Sequence, residues 1–462
     1  MKKLYGLLMA TVLITASCRK IEVDGPTVTT TNGGTTTENV ILEGRITANR
    51  TLKANYTYKL RGLVYVTNGA VLTIEAGTKI VGELNKNGGL IITRNAKIDA
   101  EGTASNPIVF TSESNTPQRG DWAGIIILGN APVNTSYNGQ QGVGEIEGGV
   151  NNSDGLGLYG GTNPADNSGI MKYVRIEYAG YAFLPDKEIN GLTFGGVGNQ
   201  TQIDYVEVAY ASDDSFEWFG GTVNCKHLIS FRTLDDDFDT DNGFSGKVQF
   251  GIALRDSSVA DISKSNGFES DNDANGSALL PQTAAVFSNM TVLGPKVTAS
   301  AIGNSLFQAG VLIRRNSSIS IFNSIIAGWP KGVFIDASKG IPTDNNLNTG
   351  TPTLMIQNTI VAGCTDPVTY AASASTPTGA TPASMLAWYS TGAFTNSVLT
   401  TNAALGLTDP FNYAAPDFTP TQGSVVLGGA SFASTKLNGL EPVTYKGAVG
   451  ANDTWFKGWT KF

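Results

Sequence analysis

Two acidic stretches of the chain carry side chains that could hold a metal ion. Residues 213–221 (DDSFEWFGG) and 235–243 (DDDFDTDNG) align without a gap at an offset of 22 residues. Ca²⁺ binds about six to eight oxygen atoms from carboxylates, carbonyls and water, so a cluster of acids suits it. We therefore predict a calcium site, with Glu217 beside it and with ligands drawn from Asp213, Asp214, Asp235, Asp236, Asp237, Asp239 and Asp241.

A second, shorter motif follows at residues 271–276 (DNDANG). It matches the first half of a calcium-binding loop, in which Asp271, Asp273 and Asn275 would place their oxygens on one side of a turn closed by glycine. The position eleven residues after Asp271, where an acid is expected, holds Gln282. Asn, Asp and Gly are also the commonest turn residues, so the alternative for both motifs is a hydrated turn without metal.

The offset of 22 residues also indicates which elements position these acids. A repeat this short, with strand-like residues on both sides, is typical of one coil of a parallel β-solenoid, whose coils bury their apolar faces against each other. Equivalent residues then lie one above another, about 4.8 Å apart. Stacked carboxylates repel each other at that distance unless water screens them or a cation lies between them.

Phenylalanines support this register. Phe194, Phe216 and Phe238 follow one another at offsets of 22, and Phe268 fits the same column after a longer turn, which predicts a stacked ladder inside the solenoid. Adjacent side chains of a strand point to opposite faces. The residue after each phenylalanine should therefore face outwards, which places one stripe of positions on the surface: Gly195, Glu217, Asp239 and Glu269.

Short alternating runs of β-branched residues recur from Val40 onwards, separated by turn residues. The predicted fold class is all-β: a right-handed, single-stranded parallel β-helix (solenoid) with a C-terminal cap, the handedness following the general preference of parallel crossovers. Long insertions at residues 130–167 and 366–415 should form loops, and residues 381–389 begin like a short helix, with an N-cap threonine and a proline. The predicted domains are a lipoprotein signal peptide (1–17), a flexible tether (18–38), the parallel β-helix (39–430) and the cap (431–462).

The N-terminus has the build of an export signal. Lys2 and Lys3 precede an apolar stretch, residues 4–16, that is too short to span a membrane. Residues 14–18 (ITASC) resemble a bacterial lipobox, in which the cysteine is lipidated, so Cys18 is the predicted lipidation site. The alternative is an ordinary signal peptide with an incidental cysteine. On the first interpretation, the protein is held at the outer membrane by its lipid alone.

Composition argues against several other classes of protein. The chain has 39 acidic and 31 basic residues and a net charge of −8, so nucleic acid is not an expected partner. Cys225 and Cys364 lie too far apart to form a disulfide framework and are expected to be free thiols. The single histidine, His227, lies in a predicted strand, so we expect neither a zinc site nor a Ser–His or Cys–His pair.

Two aromatic residues beside the acids are candidate glycan-binding residues. Trp218 and Phe219 replace Thr240 and Asp241 of the next coil, so we interpret them as exposed rings on which a sugar could stack. The alternative is that both rings pack beneath a long loop and have a structural role.

Residues 235–239 (DDDFD), followed one coil later by residues 266–268 (NGF), resemble the calcium-dependent pectate-lyase-like β-helices. The resemblance implies that calcium neutralises a uronate carboxylate while a lysine removes the neighbouring proton, which leads to β-elimination. That lysine normally follows the phenylalanine of the later coil, where this chain has Glu269. Lys264 or Arg255 would have to take its place.

From Val40 onwards the chain also resembles a group of Bacteroidota-type lipoproteins with a right-handed β-helix body, through residues 120–124 (GDWAG), 213–246 and 455–459 (WFKGW). The sequence therefore favours a non-catalytic cell-envelope lipoprotein that binds a glycan or an envelope protein, with calcium stabilising the acidic coils. The competing hypothesis is a calcium-dependent polysaccharide lyase acting on a uronate polymer. A lysine or arginine beside the acids would favour the lyase, whereas an acid-only pocket covered by loops would favour binding.

Overall fold

The computed structural model describes residues 38–181, 189–298, 300, 301, 303–347 and 353–462. In these residues a 26-stranded sheet of parallel strands winds into a solenoid, and short antiparallel pairs lie outside it. The predicted all-β parallel β-helix is therefore confirmed. The predicted signal peptide, the lipidation site Cys18 and the tether up to residue 37 lie outside the described residues. None of the helices in the described part of the chain is long and apolar enough to cross a membrane.

The first half of the chain forms the early coils and the first long insertion. Its strands are β1 (Glu38–Ile46), β2 (Arg50–Leu52), β3 (Tyr56–Val66), β4 (Val71–Ile74), β5 (Lys79–Gly82), β6 (Gly89–Ile92), β7 (Lys97–Glu101), β8 (Ile108–Ser112), β9 (Gly124–Leu128), β10 (Ser136–Tyr137), β11 (Gln140–Gln141), β12 (Gly144–Glu145), β13 (Leu158–Tyr159), β14 (Gly169–Glu177), β15 (Leu192–Gly195) and β16 (Gln202–Ala209).

The second half forms the acidic coils, the later coils and the C-terminal region. Its strands are β17 (Phe216–Phe219), β18 (Asn224–Phe231), β19 (Phe238–Asp241), β20 (Lys247–Leu254), β21 (Phe268–Ser270), β22 (Val286–Leu293), β23 (Ala309–Arg314), β24 (Ser320–Phe322), β25 (Ile325–Ala327), β26 (Lys331–Asp336), β27 (Ile356–Gln357), β28 (Ile360–Ala362), β29 (Asp366–Ala371), β30 (Ser397–Leu399), β31 (Leu407–Asp409) and β32 (Asp417–Pro420). The helix α1 spans Pro382–Tyr389, and 3-10 helices lie at Thr343–Leu347, Gly392–Phe394, Asn402–Leu405, Val425–Leu427 and Thr435–Leu437.

The coils stack into three faces around one apolar interior. Strands β14, β16, β18, β20 and β22 each bend through a corner, so they contribute to both the first and the second face. The third face, which carries the acids, stacks β3, β6, β9, β15, β17, β19, β21, β23, β26 and β29 in that order. Apolar side chains from all three faces fill one continuous core.

The register of the acidic coils is as predicted, but the phenylalanine ladder begins one coil later. Phe216 pairs with Phe238 and Phe238 with Phe268, whereas the residue paired with Phe216 in β15 is Leu192. Phe194 pairs with Trp218. The link from β15 to β16 is residues 196–201, two residues longer than the link from β17 to β18 at residues 220–223, so the offset between these coils is not 22.

The helix α1 closes the C-terminal end of the core. It begins as predicted, because the Thr381 side chain accepts a hydrogen bond from the backbone of Ser384 and Pro382 takes the first helical position. Met385 and Tyr389 join the apolar core beside the last coils. The segment predicted as the cap, residues 431–462, lies along the side of the solenoid instead.

Residues 429–462, which we call the C-terminal strap, run back along the corner between the first and second faces. Asparagine side chains at the corner hold the strap's backbone. The Nδ2 group of Asn289 donates to the carbonyl of Tyr445 at 2.9 Å, and the side chain of Asn323 both donates to and accepts from the backbone of Ser431. These bonds satisfy backbone groups that no strand pairs.

In the earlier coils the same corner is aromatic. The rings of Tyr173, Tyr205 and His227 stack with centroid distances of 4.3 and 4.2 Å, and the strap's Trp455 and Trp459 pack edge-on against them. The ring of His227 thus has a structural role within strand β18, in agreement with the sequence analysis.

Candidate metal centre

The acids of the two aligned stretches meet where the turn from the second face enters the third. Asp214 and Asp236 occupy this turn on successive coils, and Glu217 and Asp239 lie on strands β17 and β19. Together they border a cavity of about 210 Å³. Its lining residues are Glu147, Asn190, Asp213, Asp214, Glu217, Asp235, Asp236, Asp239, Ser263, Lys264, Glu269 and Arg314.

Backbone amides fix the acids in the turn. One oxygen of Asp214 accepts a hydrogen bond from the backbone N–H of Asp236 at 2.7 Å, and Asp236 accepts one from the backbone N–H of Asn266 on the next coil. Asn266 in turn accepts from the backbone of Ala309 at 3.1 Å. This ladder of Asp and Asn side chains follows the stacking of the coils, and it fixes the buried carboxylates of Asp214 and Asp236 in the cavity lining.

Strand alternation supplies a second column of acids. Glu217 pairs with Asp239 and Asp239 with Glu269, and all three side chains point outwards, as predicted. The corresponding residue of β15 is Thr193 and not the predicted Gly195, which follows from the corrected register. The outward column therefore holds three carboxylates on three successive coils.

Burial and mutual repulsion oppose ionisation in the cavity. Burial, with Glu269 and Asp236 as negative neighbours, raises the pKa of Asp239 well above its ordinary value, and burial likewise raises the pKa values of Asp214 and Glu217. Burial raises the pKa of Asp235 to about 6 and that of Glu269 to about 7, with Arg314 opposing the second shift. A bound cation would favour the ionised form of each group.

Two carboxylate oxygens provide evidence for an unsatisfied site. The Oδ1 atoms of Asp235 and Asp239 are buried and have no hydrogen-bond partner among the described residues. Such orphaned oxygens are uncommon, because a buried polar atom without a partner is costly. Carboxylate oxygens also approach within 4.8 Å of one another in three sets: Asp213, Asp214 and Asp235; Asp214, Glu217 and Asp239; and Asp236, Asp239 and Glu269. The donor set therefore fits a hard divalent cation.

Cationic side chains also reach this cavity. Arg314 donates to Glu269 and, through Nε, to Asp271 at 2.9 Å, so its guanidinium is held by two acids. Lys264 is exposed at the rim, and its backbone has a φ of 87°, in the left-handed region that side chains other than glycine rarely occupy. The pocket is thus not the acid-only pocket that the sequence analysis associated with binding.

The first long insertion covers one side of the cavity. Glu147, between β12 and β13, accepts a hydrogen bond at 3.2 Å from the side-chain amide of Asn190. The same amide donates to Glu217. The side chain of Asn190 thereby connects the insertion to the acidic column.

Asp237 does not reach the cavity, although the sequence analysis placed it among the ligands. Its carboxylate points into the solenoid, where it accepts hydrogen bonds from Ser230 at 2.5 Å and from Arg255 at 3.2 Å. Asp237 precedes the first residue of β19, so strand alternation does not determine the direction of its side chain.

The remaining predicted ligands lie outside the cavity lining. Asp271 pairs with Arg314 and Arg315, and burial beside Asp271 raises the pKa of Asp241 to about 8. Asp273 accepts from the backbone of Asn275 at 2.9 Å and from both the backbone and the hydroxyl of Ser277. In the predicted calcium loop, Asp271 is therefore paired with arginines and Asp273 accepts hydrogen bonds from turn residues. The third predicted ligand, Asn275, is exposed.

The interpretation of Trp218 and Phe219 as exposed glycan-binding residues is wrong. Trp218 is 0% exposed and stacks inside the solenoid between Phe194 and Phe244, at centroid distances of 5.6 and 5.3 Å. Phe219 faces outwards but is buried beneath the first insertion, with its ring 6.0 Å from that of Tyr159. The alternative, packing beneath a loop, applies to Phe219.

Comparison with known proteins supports the fold. Residues 44–399 match the family model of the pectate-lyase-like β-helix domain. The sequence has no match among curated proteins. Among solved structures, the A-module of the mannuronan C-5 epimerase AlgE6 from Azotobacter vinelandii is similar at 11% identity and a TM-score of 0.27, over 72% of this chain and 78% of that chain. A similarity of that size supports no conclusion about the cavity.

The raised pKa values predict a pH dependence that Asp239→Asn should reduce. The metal-depleted folded protein binds protons at these acids more tightly than the unfolded chain, whose carboxyl pKa values are about 4. The stabilisation from protonation is therefore lost as the pH rises from about 4 towards the values of about 6 and 7 at Asp235 and Glu269. We expect the thermal midpoint of the wild type to fall relative to that of Asp239→Asn over this interval; a constant difference would contradict the prediction.

Proposed function

Because the chain belongs to the pectate-lyase-like β-helix domain family, we propose that it is a calcium-binding cell-envelope protein that binds a carboxylate-bearing glycan at the acidic cavity. The observation that supports this function is the buried Oδ1 of Asp239, which has no hydrogen-bond partner in the part of the chain that the structure describes and whose residue belongs to two of the three sets of clustered carboxylates. The residues that would hold the ion are Asp214, Glu217, Asp236, Asp239 and Glu269.

Charge explains why a cation and a glycan would act together. The cavity lining contains many carboxylates and two cationic side chains, so the metal-free cavity repels an acidic ligand. Bound Ca²⁺ would offset part of this negative charge and offer free coordination positions to a ligand oxygen. Asp214 and Asp236 would orient the ion, since backbone amides already fix their carboxylates.

The size of the cavity favours a glycan over an envelope protein as the partner. At about 210 Å³ it is smaller than the roughly 300–1,000 Å³ typical of ligand pockets, so it would admit one acidic group of a longer ligand. A stable protein interface would instead need about 800 Å² of surface on each partner. A uronate-containing polymer presents such a group on each sugar.

A polysaccharide lyase is the second candidate function, and Lys264 is the observation that favours it. Lys264 borders the cavity in a left-handed backbone conformation, on the same coil as Glu269. In its neutral form it would take the proton from the ring carbon next to the uronate carboxylate. The electron pair of that C–H bond would form a carbon–carbon double bond as the bond from the adjacent carbon to the leaving sugar oxygen breaks, and the leaving oxygen would take a proton from water, giving an unsaturated product. Arg314 is a poorer candidate base because two acids already hold its guanidinium.

The calcium proposal predicts opposite effects of Asp239→Asn with and without the ion. In chelator the variant should have a higher thermal midpoint than the wild type, because one stacked charge is gone. At a calcium concentration about 100 times the wild-type Kd, the wild type should gain about 2.7 kcal/mol of stability, and a variant with a tenfold weaker Kd about 1.4 kcal/mol. Glu101→Gln, at an exposed acid on β7, is the control and should respond as the wild type does. A wild type that calcium does not stabilise would refute the proposal.

The lyase candidate is tested with polygalacturonate on the same protein. If Lys264 is the base, the wild type with calcium should generate the ultraviolet absorbance of an unsaturated product, and Lys264→Met should lose it while retaining calcium stabilisation. Polymer binding by a wild type that forms no product would leave the non-catalytic function as the correct one.

Anchoring by lipid is proposed from the residues around Cys18, which precede the described part of the chain. We expect the bacterially expressed wild type to partition into the detergent phase and Cys18→Ser into the aqueous phase. Aqueous partitioning of the wild type would show that the N-terminus is an ordinary signal peptide.

A further inference from the structure

A buried ion pair lies on the inner side of the turn that carries Asp235 and Asp236. Arg255 and Asp237 are both 0% exposed, with Nη1 of Arg255 3.2 Å from Oδ1 of Asp237. Arg255 follows strand β20, and its backbone N–H donates to the carbonyl of Leu293. Taking two charges out of water costs several kcal/mol per ion, so the contacts that offset this cost indicate what the pair does.

The guanidinium directs its donors mainly to the backbone of the turn. Nη2 donates to the carbonyl of Leu234 at 2.9 Å, and Nη1 donates to the carbonyl of Asp235 as well as to Asp237. Nε of Arg255 and Oδ2 of Asp237 have no hydrogen-bond partner among the described residues. The strongest arginine–carboxylate pairs form two parallel hydrogen bonds, which this pair does not. The geometry therefore indicates that the main role of the guanidinium is to bind the carbonyls of the turn.

We propose that Arg255, oriented by Asp237, is a positioning residue for the acidic cavity, a role that rests on the proposed calcium binding. The carbonyls of Leu234 and Asp235 face the guanidinium of Arg255, which is itself 0% exposed, and they accept hydrogen bonds from it. Arg255 holds both, and the hydroxyl of Ser265 adds a bond of 2.7 Å to the carbonyl of Leu234. With these carbonyls fixed inside, the side chains of Asp235 and Asp236 face the cavity.

The ring of Phe307 restricts the guanidinium from another side. It lies 5.1 Å from the central carbon of Arg255, and Phe307 is itself buried and bridged to Ser265. The arginine therefore has a defined orientation, in which a shorter or more flexible cation could not contact both carbonyls at once. Without it, the turn would reorient to bring its carbonyls to water, and the two aspartates would move with it.

The test is the double variant Arg255→Met, Asp237→Asn, which removes both charges at similar volume. Replacing a buried ion pair by neutral groups is often nearly neutral for stability, whereas removing one partner is not. We expect the calcium Kd, measured by isothermal titration, to rise about 10- to 100-fold, as for other residues that orient metal ligands. Ser230→Ala is the matched control: it removes a bond to Asp237 without touching the turn carbonyls, and should leave the Kd unchanged.

Amide hydrogen exchange of metal-depleted protein separates this inference from the calcium proposal. In the double variant the peptide covering residues 233–238 should exchange faster than in the wild type, while strand β22 exchanges as before. Faster exchange in the turn would support the positioning role even if the wild type bound no calcium, a result that would refute only the proposed function. Unchanged exchange in the turn overturns the inference. Should the double variant not fold, Arg255→Lys takes its place in both measurements.

Discussion

Hydrogen bonds between successive coils set the spacing of equivalent side chains at about 4.8 Å, and the chemistry of the third face depends on this constraint. Where the equivalent residues are Phe216, Phe238 and Phe268, the spacing brings rings together inside the solenoid. Where they are Glu217, Asp239 and Glu269, the same spacing holds carboxylates together against their repulsion. The free energy that concentrates the acids comes from the backbone ladder and the core, and its cost is visible in their raised pKa values.

Much of the fold could be predicted because the two coils that carry the acids repeat without a gap at an offset of 22 residues. The alignment of residues 213–221 with 235–243 gave the correct pairing of β17 with β19 and the outward direction of Glu217 and Asp239. Side chains two residues apart on a strand share a face, so an inward-facing Phe216 also places Trp218 inside the solenoid. The sequence thus contained a signal against the interpretation of Trp218 as an exposed ring. The predicted pairing of Phe194 with Phe216 was wrong because the link from β15 to β16 is longer than the equivalent link of the next coil. The length of a link cannot be read from the alternation of side chains in the strands. The direction of Asp237 could not be predicted, because Asp237 lies outside the strand.

The other residues of the cavity were harder to find, because they come from segments that do not repeat. Glu147 lies in an insertion, and Arg314 comes from the coil after Glu269. Lys264 precedes Phe268, so the sequence analysis named it only as a substitute for the lysine that the resemblance places after that phenylalanine. The acidic coils thus supply a regular array of carboxylates, and irregular segments supply the side chains that distinguish a binding site from a catalytic one.

The C-terminal strap affects the order in which the molecule can be completed. The backbone N–H of Lys461 binds the carboxylate of Glu207, 254 positions earlier, and Trp459 packs on Tyr173 and Tyr205. Coils built from residues 173–250 therefore keep an uncovered aromatic corner until residues 455–461 have been synthesised and can pack against it. Such long-range contacts slow folding. Because synthesis proceeds from the N-terminus, chaperones and proteases could bind that corner until the C-terminal strap has been made. The stability of the completed solenoid does not change this period of exposure.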